Sequence, residues 1–171
     1  MISGNLNLDS LLDKMTRELQ AWITHRDLED PMMIGIHSGG VWIAEHLHSA
    51  LGLSTPLGTL NISFYRDDFT QIGLQPSVQA SQLPAATEGR DLILVDDVIL
   101  SGRTVRAAMN ELFDYGRPAS ICLVTLVDLQ RRELPIQPDI CGESLHLGPD
   151  QQIKLTGPDP LLLEIRHRPL S

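Results

Sequence analysis

The chain has 171 residues, a formal net charge of −9, 42% hydrophobic and 20% charged residues. That length points to one domain over residues 1–171, able to bury roughly 70% of its unfolded surface. The acidic balance argues against a broad face for nucleic-acid phosphates, two isolated cysteines exclude a disulfide framework, and no apolar run reaches the length of a membrane span. With no basic segment ahead of an apolar one at the N-terminus, a signal peptide is not expected, and a reduced, cytoplasmic protein is.

Leu11, Leu12, Met15, Leu19, Trp22 and Ile23 recur at helical spacing and predict an amphipathic helix over 9–27, with Ser10 as N-cap. After Pro31, MMIGI reads as a buried strand and His37-Ser38-Gly39-Gly40 as a tight loop. Val41, Ile43, Ala44, Leu47 and Leu51 then mark a second helix. Leu57 to Phe64 (LGTLNISF) suits a strand. Residues 65–89 are polar and interrupted by Pro76 and Pro84, which reads as a flexible arm or partial hairpin.

In DLILVDDVILSGRT (Asp91–Thr104), four apolar residues run into two adjacent acids, and a polar loop leads to a helix N-terminus. Val105, Ala108, Met109, Leu112 and Phe113 supply that helix's buried face, and Gly116 stands where an αL cap belongs, before Pro118. ICLVTLV (121–127) has the continuous apolar character of a central parallel strand. A polar loop follows Asp128, then a short strand around Ile140, a strand over Gln152–Leu155 and an apolar segment over Leu161–Ile165. Serial βα units imply an α/β fold with a mainly parallel sheet.

The chemistry concentrates in the Asp91–Thr104 stretch. Ligands of open parallel sheets bind at the carboxyl ends of strands, and a helix N-terminus offers unpaired N–H groups to an anion. Gly102 lets backbone approach a phosphate, Ser101 and Thr104 add hydroxyls, and Arg103 adds a positive charge. Asp96 and Asp97 would repel such a ligand unless they contact its hydroxyls or a metal. A sugar phosphate with a free cis-diol satisfies both halves. Neither GxxxxGK[ST] nor GxGxxG is present.

This acid-acid-x-x-x-small-Gly-x-Thr arrangement resembles the motif that binds phosphoribosyl pyrophosphate (PRPP) in type I phosphoribosyltransferases. SFYRDDF (Ser63–Phe69), DYGRPAS (Asp114–Ser120) and VDLQRRELPIQPD (Val127–Asp139) narrow the resemblance. Together they are similar to the pyrimidine-operon attenuator / uracil phosphoribosyltransferase family, often called PyrR, from about Met33 to Gly142. The resemblance implies a five-stranded, mainly parallel sheet flanked by helices, with a small hood made from the chain's ends.

It also assigns roles. Asp96 and Asp97 would contact the ribose hydroxyls, directly or through water on Mg2+, and Val98, Ile99, Leu100, Ser101, Gly102, Arg103 and Thr104 would wrap the 5-phosphate. His37, Ser38, Gly39 and Gly40 occupy the pyrophosphate-loop position. Tyr65, Arg66, Asp67 and Asp68 open the arm that closes over the substrate, with Arg66 a catalytic candidate. Asp128, Arg131 and Arg132 lie where the family recognises uracil. The implied reaction forms UMP and pyrophosphate from uracil and PRPP, in a homodimer or larger oligomer.

Two departures from the family pattern stand out. The arginine usual before the last glycine of the pyrophosphate loop is Gly39 here, a loss of about 1.5–3 kcal/mol if nothing compensates. Leu100 takes the place of an acid found in several relatives, which favours a pyrimidine over a purine. A regulator that senses UMP or PRPP, with an RNA or protein partner and little catalysis, is the second reading. Arg106, Arg117, Arg131 and Arg132 would have to supply an RNA patch in a chain with only two lysines and an acidic excess. A transferase for another base is the third. Outside the motifs, His46 and His48 are two apart on a helix and do not share a metal site. Trp22 and Trp42 read as packing, and Cys122 as inert core.

Overall fold

The computed structural model of the protein describes residues 6–62 and 81–169. Helix α1 (Leu8–His25) leads to β1 (Met32–Ile36), α2 (Gly39–Leu51) and β2 (Gly58–Leu60). Then come β3 (Asp91–Ile99), α3 (Arg103–Asp114), β4 (Ser120–Asp128), β5 (Ile140–Ser144), β6 (Gln151–Thr156) and β7 (Leu162–His167). The first five strands form one parallel sheet in the order β2-β1-β3-β4-β5. β6 and β7 pair antiparallel as a separate hairpin.

Alternation along each strand divides the interior into two layers. Met33, Ile93, Val95, Cys122, Val124 and Leu126 turn to one face, where α1 and α2 bring Leu12, Met15, Leu19, Ile43, Ala44 and Leu47. Met32, Ile34, Ile36, Leu92, Leu94 and Leu123 turn to the other, under Val105, Ala108 and Leu112 of α3. With both faces covered, the central strands read as unbroken apolar runs. Trp22 and Trp42 pack on the first layer, as their spacing suggests, and Arg26 lies 4.1 Å over the Trp22 ring.

Several expected boundaries move. Asn7, not Ser10, caps α1, its Oδ1 accepting from the Ser10 amide at 3.1 Å. The strand expected over 57–64 has only Gly58–Leu60 among the described residues, and part of the expected arm returns to it through an antiparallel bridge between Thr59 and Gln82. Phe113 is 56% exposed rather than buried, because it lies a helical step round from the stripe of Val105, Ala108 and Leu112. Tyr115 is the C-cap of α3 with a φ of −96°, and Gly116 beyond it has a φ of +137°. The C-terminal end of the chain forms the β6–β7 hairpin, whereas α1 packs on the main sheet.

The chain runs from β1 toward one edge of the sheet and from β3 toward the other. The carboxyl ends of β1 and β3 therefore flank a topological switch point, where such sheets place ligands.

Candidate active site at the switch point

β3 does not stop before its acids. Although a pair of carboxylates in sequence suggests a loop, β4 supplies parallel partners as far as Asp96–Thr125, Val98–Val127 and Ile99–Asp128. Both acids are thereby held on the rigid end of a central strand. Asp96 is 2% exposed, and its Oδ1 accepts from the Asp97 amide at 2.8 Å. The Asp97 Oδ1 accepts from the Val98 amide at 2.8 Å.

The loop after β1 is pressed against these acids. Its His37–Ser38 peptide is cis, the His37 amide donates to the Leu60 carbonyl at 2.9 Å, and α2 begins at Gly39, two residues before the expected Val41. Any Cβ at Gly39 would overlap the Asp97 carboxylate, and one at Gly40 would come within 2.6 Å of the Val95 carbonyl oxygen. Glycine at both positions is what lets the start of α2 lie on the end of β3. Burial lowers the His37 pKa from its ordinary 6.5, with Glu45 opposing in part, so His37 is neutral at pH 7.

The loop after β3 is held from outside. Gly102 has a φ of +94°, which favours glycine, and as N-cap of α3 it brings no capping side chain, nor is there an acid in the first turn. The positive end of the helix is left for an anion. The carbonyl of Ser101 accepts from the amides of Glu133 at 2.9 Å and Leu134 at 3.1 Å. Arg103 leaves the cavity and donates through Nε to Glu133 at 2.9 Å.

A cavity of about 330 Å³ opens over this second loop, within the range of small-ligand sites. Asp96, Val98, Ile99, Leu100, Ser101, Gly102 and Thr104, all expected site residues, line it, as does Arg131 from the loop after β4. Asp97, Arg103, Asp128, Arg132 and His37–Gly40 do not line it. Asp128 and Arg132 instead pair with each other at 2.7 Å in a largely buried position. Tyr65, Arg66, Asp67 and Asp68 lie outside the described residues. Leu129, Leu147, Gln151, Gln152, Ile153 and Arg168 complete the wall and were not legible beforehand. Gln151, Gln152 and Ile153 come from the C-terminal hairpin, whose position over the sheet no local pattern reveals.

Residues 7–146 match the phosphoribosyl transferase domain. A protein of Pseudomonas aeruginosa named bifunctional protein PyrR is 58% identical over 158 residues, covering 92% of this chain and 93% of its own. A bifunctional protein PyrR of Nitrosococcus oceani is 54% identical over 165 residues, covering 95% and 93%. The chain belongs to the phosphoribosyltransferase family, among its PyrR-type members. Among solved structures, a hypoxanthine phosphoribosyltransferase from Staphylococcus aureus superposes with a TM-score of 0.62 at 19% identity, covering 90% of this chain and 86% of that one. A purine phosphoribosyltransferase from Pyrococcus horikoshii gives 0.62 at 20%, covering 81% and 82%. At that identity they show the fold, a type I phosphoribosyltransferase sheet.

Phosphoribosyltransferases generally use Mg2+ with PRPP. Among the described residues no cluster of three or more His, Cys, Asp or Glu could cage an ion. Two hard carboxylates on one strand end are instead the ligand supply that suits Mg2+, which keeps several waters and shares its sphere with substrate phosphates. Asp96 in the cavity wall is such a donor, and Asp97 beside it stands against the Gly39 loop. No helix of the described residues is long and apolar enough to cross a membrane.

Proposed function

We propose that the protein transfers the phosphoribosyl group of PRPP to uracil, giving UMP and pyrophosphate, in the cytoplasm and as a homodimer or larger oligomer. The observation that carries this reading is the cavity at the switch point, in which Asp96 shares a wall with the glycine-containing loop at the start of α3. The loop and the helix end bind the 5-phosphate, while Asp96 and Asp97 accept from the ribose hydroxyls. The bond from C1 to pyrophosphate breaks as uracil N1 attacks, and the N1 proton passes to solvent.

Positive charge develops at C1 and negative charge on the leaving oxygen, and the positive N-terminal ends of α2 and α3 stabilise the negative charge on the phosphates. Asp96 and Asp97 would hold Mg2+, which would supply positive charge against that growing on the leaving group. Neutral His37 brings a hydrogen bond rather than a charge to the pyrophosphate loop. The base enters between Leu100 and the hairpin, where Leu147 and Ile153 offer apolar contact and Arg131, Gln151 and Gln152 offer polar groups. With Leu100 in place of an acid no side chain there holds a purine N7, which favours uracil.

The relatives' name, bifunctional, supports a second reading alongside the first: a UMP- or PRPP-sensing regulator of pyrimidine gene expression that binds RNA. The charge of −9 opposes it, and Arg132, one of the arginines a basic patch needs, is largely buried against Asp128. Pyrophosphate release from PRPP across a panel of free bases tests the first reading. Turnover with uracil alone supports it, and turnover with hypoxanthine but not uracil contradicts it. A salt-sensitive, sequence-specific shift of pyrimidine-leader RNA tests the second.

A further inference from the structure

Arg132 stands in the segment where similarity places base recognition, yet its guanidinium is turned elsewhere. Nη1 donates to the Leu100 carbonyl at 2.8 Å, and Nη2 donates to Asp128 Oδ2 at 2.7 Å and to Gln137 at 3.3 Å. Its side chain is 13% exposed, and Asp128 beneath it 9%. Asp128 in turn accepts from the Gln130 amide at 2.7 Å through its other oxygen. Gln130 has a φ of +58°, so this carboxylate also fixes the turn that carries Arg132.

The contacts continue on both sides of Leu100. The Leu129 amide donates to the Ile99 carbonyl at 3.0 Å, and the Ser101 carbonyl accepts from Glu133 and Leu134. Carbonyls of three consecutive residues, 99 to 101, are thus tied to the loop after β4. Gly102 sits at ordinary contact distance from Arg132 Cδ, 3.4 Å from where its Cβ would be. Ser101, Gly102 and Thr104, beside these tied carbonyls, line the cavity, and the Arg103 amide donates to Ser101 Oγ at 3.1 Å within the same loop. Of these ties only the one to Leu100 comes from a charged side chain.

We infer that Arg132 is a positioning residue for the 5-phosphate loop and not a reader of the base. It orients the 99–104 backbone by holding the Leu100 carbonyl, with Asp128 fixing the guanidinium plane. This rests on the function proposed above. Lysine cannot replace it, because a single ammonium lacks the planar fork that serves two acceptors in a fixed geometry.

The test is calorimetric binding of UMP and of uridine, which differ by the 5-phosphate alone. It compares wild type with Arg132→Lys and with the double variant Asp128→Asn/Arg132→Gln. The double variant removes the buried pair together, so no uncompensated charge is left to unfold the protein. A general loss of structure would weaken both ligands equally. The expected result is a fall of about tenfold or more in the preference for UMP over uridine, with uridine affinity held within about twofold. An unchanged preference in cooperatively folding variants overturns the inference and leaves the function standing. A wild type that shows no preference for UMP overturns both.

Discussion

Two loops leave the switch point, His37–Gly40 after β1 and Leu100–Thr104 after β3, and they are fixed by opposite means. The first is seated by the absence of side chains, Gly39 against Asp97 and Gly40 against β3 backbone. The second is held by added contacts, with its carbonyls bonded to residues 129–134 and its shape set by Gly102. A glycine-seated loop has no slack for extra atoms, whereas a braced loop loses its shape by degrees as braces are removed. The contrast also changes the meaning of Gly39. Against the family pattern it looks like an arginine lost, but here any side chain at that position must first displace the Asp97 carboxylate.

The largest effect is expected where both loops meet, at the acids. Asp96→Asn with Asp97→Asn removes two charge-assisted contacts of about 1.5–3 kcal/mol each. Pyrophosphate release with uracil should fall by about 10²–10⁴-fold, while the melting temperature shows whether the fold survives. Next comes Gly39→Ala, which forces overlap onto Asp97. Overpacking of about 1–3 kcal/mol should appear as about a ten- to hundredfold loss of turnover. Gly102→Ala meets nothing nearer than 3.4 Å and costs only its positive φ, about 1–2 kcal/mol, read as a weaker hold on UMP. If Gly102→Ala proves the more damaging to turnover, the contrast between the loops is wrong.

A smaller effect belongs to pH. Unfolded His37 takes up its proton near the ordinary 6.5, whereas burial delays uptake in the folded protein to lower pH. The unfolded state then binds more protons, so this contribution to stability is complete above the ordinary 6.5, declines as pH falls below it, and levels off once folded His37 is protonated too. Denaturant midpoints at pH 7.5 and 5.5 should differ less in His37→Gln than in wild type. The smallest effect is chemical and remote from the site. Burial first, then Asp139, pushes the Cys122 thiol up to about 12, so an alkylating reagent at pH 8 should label the less buried Cys141 and spare Cys122 until denaturant is added.

The parts of this arrangement that could be read from the chain are those carried by local pattern. The apolar runs at Met32–Ile36 and Ile121–Val127 and the stripe from Leu11 to Ile23 each specify their own element. So does the loop-and-helix signal from Ser101 to Val105. The continuation of β3 through Asp96 and Asp97 could not be read, because its cause is a ladder partner in β4 nearly thirty residues away. Arg132 was legible as a charge but not as a brace, since its acceptor at Leu100 lies 32 residues back. The two strands of the cavity's far wall were legible at Gln152–Leu155 and Leu161–Ile165, but not their antiparallel pairing into a hairpin or its place beside the 5-phosphate loop. Phe113 was misassigned because it is apolar, although one helical step carries it out of the buried stripe.

The most direct measurement is the initial rate of pyrophosphate release from PRPP and uracil with Mg2+, for wild type beside Asp96→Asn/Asp97→Asn. Uracil-dependent turnover in wild type that falls by at least about a hundredfold in the variant is the predicted result. Equal rates in the two proteins, or no uracil-dependent release from either, would contradict the assignment of the switch-point acids to phosphoribosyl transfer.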